Sequence, residues 1–312
     1  MYEQFFGLRE LPFDLTSNPR YLCLTAKHRE ALSNLKYGIL GRRGVTLLIG
    51  EAGTGKTTLV RAALESEELK GCRCVCLSNP TLTRAEFIEF LANAFDLSEH
   101  AAVSKTALLR ELEQTLKARR ADGIVSALLV DEAQALSPEL LEEVRLLANI
   151  ETNTDKLLPV VLAGHPNLAR RLEVPELKQL KQRIALRCDL QPLNLRETIA
   201  YIAGRIRIAG GDSEAVFTRE AMELVHHGSR GIPRTISVIC DNALVNGFAA
   251  NRSPVGWEIV AEVCRDFEFA TPMIRRPAPS PVPDAPPPQA VGRTADHDTM
   301  FSMFSRRRFS FF

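Results

Sequence analysis

The chain has 312 residues, of which 45% are hydrophobic and 25% charged, and its formal net charge is +1. This is the composition of an ordinary globular protein, and so small a net charge excludes a global pull toward nucleic acid or an anionic membrane; such a partner would need a local patch. The opening "MYEQFFGLRELPF" lacks the basic start and apolar core of a secretory signal, no apolar run approaches the ~20 residues of a membrane span, and the seven cysteines have no framework spacing. A cytoplasmic chain is expected.

In chain order, buried strands are expected at 44–50, 72–78, 124–131, 157–164 and 184–190, each a short apolar run. Helical patterns at 56–66, 83–95, 104–120, 137–150 and 166–182 fall between them. Such alternation predicts an α/β fold with a mostly parallel five-stranded sheet covered on both faces. Cys72, Cys74 and Cys76 recur at period two on the second strand. They read as small apolar residues of a buried strand beside the first one, since no further Cys or His cluster completes a metal-ligand set.

After Leu190 only helical patterns follow. Asn194 and Glu197 have the spacing of a capping box, Thr218 reads as an N-cap with Phe217 and Met222 as its hydrophobic staple, and Pro233 suits a first helical turn. Four domains are expected: a leader and helix at 1–43, an α/β domain at 44–190, a small all-helical lid at 191–268, and a proline-rich, disordered tail at 269–312. The tail ends in "FSMFSRRRFSFF", which reads either as a docking peptide for a partner or membrane or as a solvated terminus.

The most specific motif is "GEAGTGKTT", Gly50, Glu51, Ala52, Gly53, Thr54, Gly55, Lys56, Thr57 and Thr58. It matches the phosphate-loop pattern in full, after a strand and before a helix. Its glycines let backbone N–H groups converge on phosphate oxygens at a helix N-terminus. Lys56 is expected on the β- and γ-phosphates of ATP and Thr57 on Mg²⁺. In "SALLVDEAQAL" the apolar run stops at Asp131 and Glu132. Asp131 is placed as the second Mg²⁺ ligand at a strand end, which leaves Glu132 to polarise an attacking water.

Four further residues keep two readings each on sequence alone. His165, just past the fourth strand, either contacts the γ-phosphate or is a plain loop histidine. Arg183 and Arg187 flank the start of the last strand; an arginine there is either offered to a neighbouring copy's nucleotide as an arginine finger or pairs at the surface. Arg234, in "GSRGIPRTI", opposes the dipole at the first turn of a lid helix. That placement suits a phosphate contact, although such arginines also point to solvent.

With these residues in place the chain resembles the AAA+ ATPases, and more narrowly the ExeA/GspA-type secretion ATPases with relatives in pilus and exopolysaccharide loci. The resemblance rests on "YEQFFGLRELPFDLTSNPRYLCLTAKHREALSNLKYGI", "GEAGTGKTTL", "LLVDEAQAL", "VVLAGHPNL", "LKQLKQRI" and "GIPR", in the family's order from residue 2 to about 268. It implies a five-stranded parallel sheet with a helical lid, and ATP held between them. It also implies a ring-shaped homo-oligomer serving secretion, pilus or export machinery, with a location at or near the inner membrane. Under it His165 is the first sensor, Arg183 the finger and Arg234 the second sensor, and His28–Leu32 lies near the adenine. The sequence departs from the family in reading "TSNP" at 16–19 where "TPDP" is usual. It also carries histidine at 165 in place of glutamine, a change that makes activity pH-sensitive. Two alternatives remain: a transposition-regulator ATPase that coats DNA, against which the near-neutral charge speaks, and a nucleotide-gated scaffold with little hydrolysis.

Overall fold

The computed structural model describes residues 1–16, 19–21 and 25–269; the expectation for the tail lies outside them. Five strands, β1 (Val45–Gly50), β2 (Arg73–Leu77), β3 (Ser126–Val130), β4 (Val160–Gly164) and β5 (Ile184–Leu190), form one sheet in the order β2-β3-β4-β1-β5. Every pairing is parallel. Helix α1 (Ala26–Leu40) precedes the first strand, and the helices between strands are α2 (Lys56–Leu64), α3 (Arg84–Ala94), α4 (Glu99–Val103), α5 (Lys105–Ala121), α6 (Pro138–Leu147), α7 (Pro166–Arg171) and α8 (Lys178–Lys181).

The three inner strands are buried along their whole length, as a sheet covered on both faces requires. Alternate residues divide between two cores. Leu47, Ile49, Leu128 and Val130 meet Phe87, Leu112 and Leu140 on one face. Leu48, Leu129 and Val161 meet Leu35, Ile39 and Leu59 on the other. Each such side chain contributes about 1.5–3 kcal/mol by leaving water. Parallel register brings the C-terminal ends of β1, β3 and β4 to one edge, where ligands of open α/β sheets bind.

Two expectations are corrected. The helix read over 166–182 is broken, because Val174 precedes Pro175 and is held extended at ψ 147°; α7, a 3₁₀ turn at Pro175–Leu177 and α8 take its place. The cysteine strand β2 is not beside β1 but at the far edge, with β3 and β4 between them. Cys76 is consequently exposed, while burial pushes the Cys74 thiol up to about 12.

Beyond β5 the chain is helical: α9 (Leu195–Ile208), α10 (Ser213–Val216), α11 (Arg219–Ser229), α12 (Pro233–Ala249) and α13 (Trp257–Asp266). The Asn194 and Glu197 capping box starts α9, Thr218 caps α11 with Phe217 and Met222 buried beside it, and Pro233 opens α12. The N-terminal segment packs on these helices. Phe5 meets Phe248 edge-on at 5.6 Å, Phe13 meets Phe217 at 6.3 Å, and the Arg9 N–H donates to the Ala209 carbonyl at 2.8 Å. The aromatic opening of the chain is therefore a strap on the lid, which α1 then ties to the sheet. Among the described residues no helix is long and apolar enough to cross a membrane.

Candidate nucleotide site

The loop from Gly50 to Thr58 joins β1 to α2, whose first residue is Lys56. Its backbone turns left-handed at Gly53, φ +79°, where a Cβ would stand 2.8 Å from the Arg234 Cβ. The lid closes on this point: the Arg234 N–H donates to the Gly53 carbonyl at 3.2 Å. Between loop and lid lies a cleft of about 240 Å³ whose walls include Lys56, Thr57, Thr58, Glu132 and Arg234. A smaller lobe continues it past Tyr21, His28, Leu193 and Tyr201.

Lys56 is buried and donates to the carbonyls of Gly50 and Glu51 at 3.0 and 3.1 Å. Burial lowers its pKa, while Glu132, Asp131 and Glu51 oppose that shift. Thr57 donates its hydroxyl to Asp131 Oδ2 at 2.6 Å. Two oxygen-bearing side chains 74 residues apart thus meet beside the loop, a donor set of the kind a hard divalent cation selects.

Glu132 stands in a left-handed conformation, φ +52°, which is strained for a residue with a long side chain. Its Oε2 accepts from Gln134 Nε2 at 2.5 Å and lies 3.6 Å from His165 Nε2. The Gln134 amide oxygen in turn accepts the His165 N–H at 3.1 Å. Gln134 therefore links the carboxylate at the end of β3 to the end of β4. No motif marks Gln134; the only signal in the sequence is its place two residues beyond Glu132.

Arg183 is not brought to this cleft. Its carbonyl accepts the Val45 N–H at 3.2 Å, at the start of β1 and so at the opposite end of the sheet from the loop. The side chain is exposed. Arg187 is held by Asp189 within the chain, with both contacts at 3.0 Å.

His28 fixes α1 to the loop. Thr25, the α1 N-cap, lies 2.8 Å from Nδ1, and Nε2 lies 3.3 Å from the Thr54 carbonyl. A carbonyl can only accept, so Nε2 carries the proton and Nδ1 accepts from the Thr25 hydroxyl. Burial lowers the His28 pKa below its ordinary value, the Thr54 carbonyl opposing. Burial and the neighbouring His227 lower that of His226 as well. A depressed histidine makes the unfolded chain bind more protons in the window below about 6.5. Its contribution is complete above that pH and is lost as pH falls through the folded value. In urea titrations between pH 5 and 7.5, His28→Gln should lose less stability on acidification than wild type. Identical pH slopes would contradict the role given to this ring.

The fold and this loop-and-acid geometry define a P-loop NTPase of the AAA class; residues 39–172 match the AAA domain family. Over 249 residues, 80% of its length, the chain is 42% identical to General secretion pathway protein A of Aeromonas hydrophila, and through this stretch it belongs with the ExeA/GspA-type AAA+ proteins. The match covers 45% of that protein, so the chain spans less than half the length of this relative. Among solved structures it is similar to Cdc6p from Pyrobaculum aerophilum, with TM-score 0.57, 18% identity, and 76% of this chain and 66% of that one covered. The ORC2 protein of Aeropyrum pernix in its ADPNP–ADP complexes gives TM-score 0.59 and 16% identity over 78% of this chain and 69% of that one. At these identities the likeness concerns the fold alone.

Proposed function

We propose that the chain binds ATP in the cleft between residues 44–190 and the 191–268 lid, and hydrolyses it at interfaces between its own copies. The cycle then drives assembly or operation of a secretion, pilus or polysaccharide-export system in the cytoplasm or at the inner membrane. The observation that carries this reading is the 2.6 Å contact of Thr57 with Asp131, with Glu132 one residue on. The name of the relative, General secretion pathway protein A, supports the cellular setting, and the nucleotide complexes of the ORC2 protein are in keeping with the ligand class.

Lys56 leaves the loop carbonyls to hold the β- and γ-phosphates, and loop N–H groups from Gly50 to Thr58 cradle them. Thr57 and Asp131 would hold Mg²⁺, which when bound would neutralise phosphate charge. Glu132 orients and deprotonates the attacking water, and Gln134 holds it back until nucleotide is seated. His165 donates toward the γ-phosphate and Arg234 brings the lid onto the same group. Arg183 is exposed and far from its own cleft, which suits a residue that acts on the neighbouring copy's nucleotide in a ring.

Mixing variants tests the action in trans. Arg183→Ala and Glu132→Gln should each release little phosphate alone, while an equimolar mixture recovers turnover, because an intact Glu132 then faces an intact Arg183. A mixture as inactive as either variant, with DNA present or absent, would remove the shared-site reading.

A further inference from the structure

Arg205 on α9 belongs to no motif, yet it is 6% exposed and lines both lobes of the cleft. Arginines are almost never this buried without a paired carboxylate. Here the hydrogen-bond partners among the described residues are all neutral. Nη1 donates to Tyr201 Oη at 2.6 Å and Ser237 Oγ at 2.8 Å, and Nη2 donates to the Asp14 carbonyl at 3.1 Å. Nε has no acceptor. The Asp14 carboxylate lies in the field of Arg205 but is held mainly by Thr16, whose N–H at 3.2 Å and hydroxyl at 2.9 Å do most to lower its pKa, with the Arg205 charge adding least. The guanidinium lies over the Tyr21 ring at 4.7 Å and the Tyr201 ring at 5.4 Å, which softens the cost of a buried cation but does not cancel the charge.

We infer that the missing partner is the anion of the bound nucleotide, so that Arg205 is a third cation of the cleft beside Lys56 and Arg234. This inference rests on the nucleotide reading above and goes beyond it in assigning a residue and a position. Arg205 borders both the lobe with Tyr21 and His28 and the lobe with Lys56 and Arg234. It therefore reads the phosphate nearest the nucleoside, common to AMP, ADP and ATP, whereas the phosphate-loop lysine reads the distal ones. Its three neutral bonds give the contact a second consequence. They reach the strap at Asp14, α9 at Tyr201 and α12 at Ser237. An anion that draws on Arg205 thereby acts on the lid and the strap together.

The test compares full-length wild type, Arg205→Met and Arg205→Lys by competition binding of AMP, ADP and ATP with Mg²⁺, together with the melting temperature of each protein without nucleotide. Methionine keeps the stem volume and removes the charge. Affinity for all three nucleotides should fall about 10- to 100-fold, the worth of a charge-assisted hydrogen bond, while the nucleotide-free melting point stays level or rises as the unpaired charge disappears. Lysine keeps the charge but not the fork and should bind between the two. A nucleotide-free melting point that drops while affinities hold would make Arg205 a structural post only and overturn the inference. A loss confined to ATP would overturn the position assigned. Should the methionine variant fail to fold, the lysine affinities decide: unchanged binding refutes the inference, and an equal loss across the three nucleotides upholds it. A wild type that binds none of them would instead bring down the nucleotide reading itself.

Discussion

Glu132→Gln is expected to lower steady-state phosphate release by about 10²- to 10⁴-fold, the usual worth of a positioned general base, while leaving ATP affinity nearly unchanged. The asymmetry follows from the two acids at the end of β3. Asp131 accepts from the Thr57 hydroxyl at 2.6 Å and so faces the loop. Glu132 turns away through a positive φ and lies between Gln134 and His165. Glutamine keeps the size of Glu132 and loses the proton-accepting charge, so nucleotide should remain seated without being cleaved. Asp131→Asn should act differently, through Mg²⁺, weakening the Mg²⁺ dependence of binding. Phosphate release and nucleotide titration on the same preparations separate the two effects. If wild type releases phosphate no faster than Glu132→Gln, the chain is a nucleotide-gated scaffold and the hydrolytic role of this carboxylate is withdrawn.

What could be read from the sequence was local. The strands announce themselves as apolar runs because both faces of a parallel sheet are buried, and the Gly50–Thr58 loop needs only its own nine residues to be recognised. The break at Val174–Pro175 is equally local: helical spacing continues across it, and only the proline marks the end of α7. The order of strands was not legible: nothing in "CRCVCLS" says whether its neighbour is β1 or β3. Nor was the smaller lobe of the cleft. Arg205 meets the Asp14 carbonyl across 191 positions, and only the assembled strap and lid bring the two together. A faint signal existed, since Arg205 follows Tyr201 by four residues and Ile202 by three, on the apolar face of α9, while Arg207 does not. The aromatic opening carries a family resemblance in its residues, but no spacing within it tells of its packing on the lid.

The largest loss of stability is expected from Gly231→Ala, in the turn between α11 and α12. Gly231 has φ +74°, and a Cβ there would lie 2.0 Å from the Leu193 carbonyl oxygen and 3.0 Å from its carbon. Those atoms are backbone, so no rotamer change can make room. Leu193 also donates its N–H to the Gly231 carbonyl at 2.8 Å, fastening the link from β5 to α9 against the turn that carries Arg234. Left-handed strain alone costs about 1–2 kcal/mol for a residue with a Cβ. The displaced backbone raises the total to about 4 kcal/mol or more, a fall in melting temperature on the order of 10 °C for a unit of this size. Gly123→Ala is the matched control: its φ is +77°, with nothing within 4 Å of the added carbon. It should show the strain and no more. Nucleotide affinity should also drop in Gly231→Ala alone, because a shifted turn carries the Arg234 N–H away from Gly53. Equal losses in the two variants, by calorimetry and nucleotide titration, would mean that the Leu193 contact does not hold the lid in register with the phosphate loop.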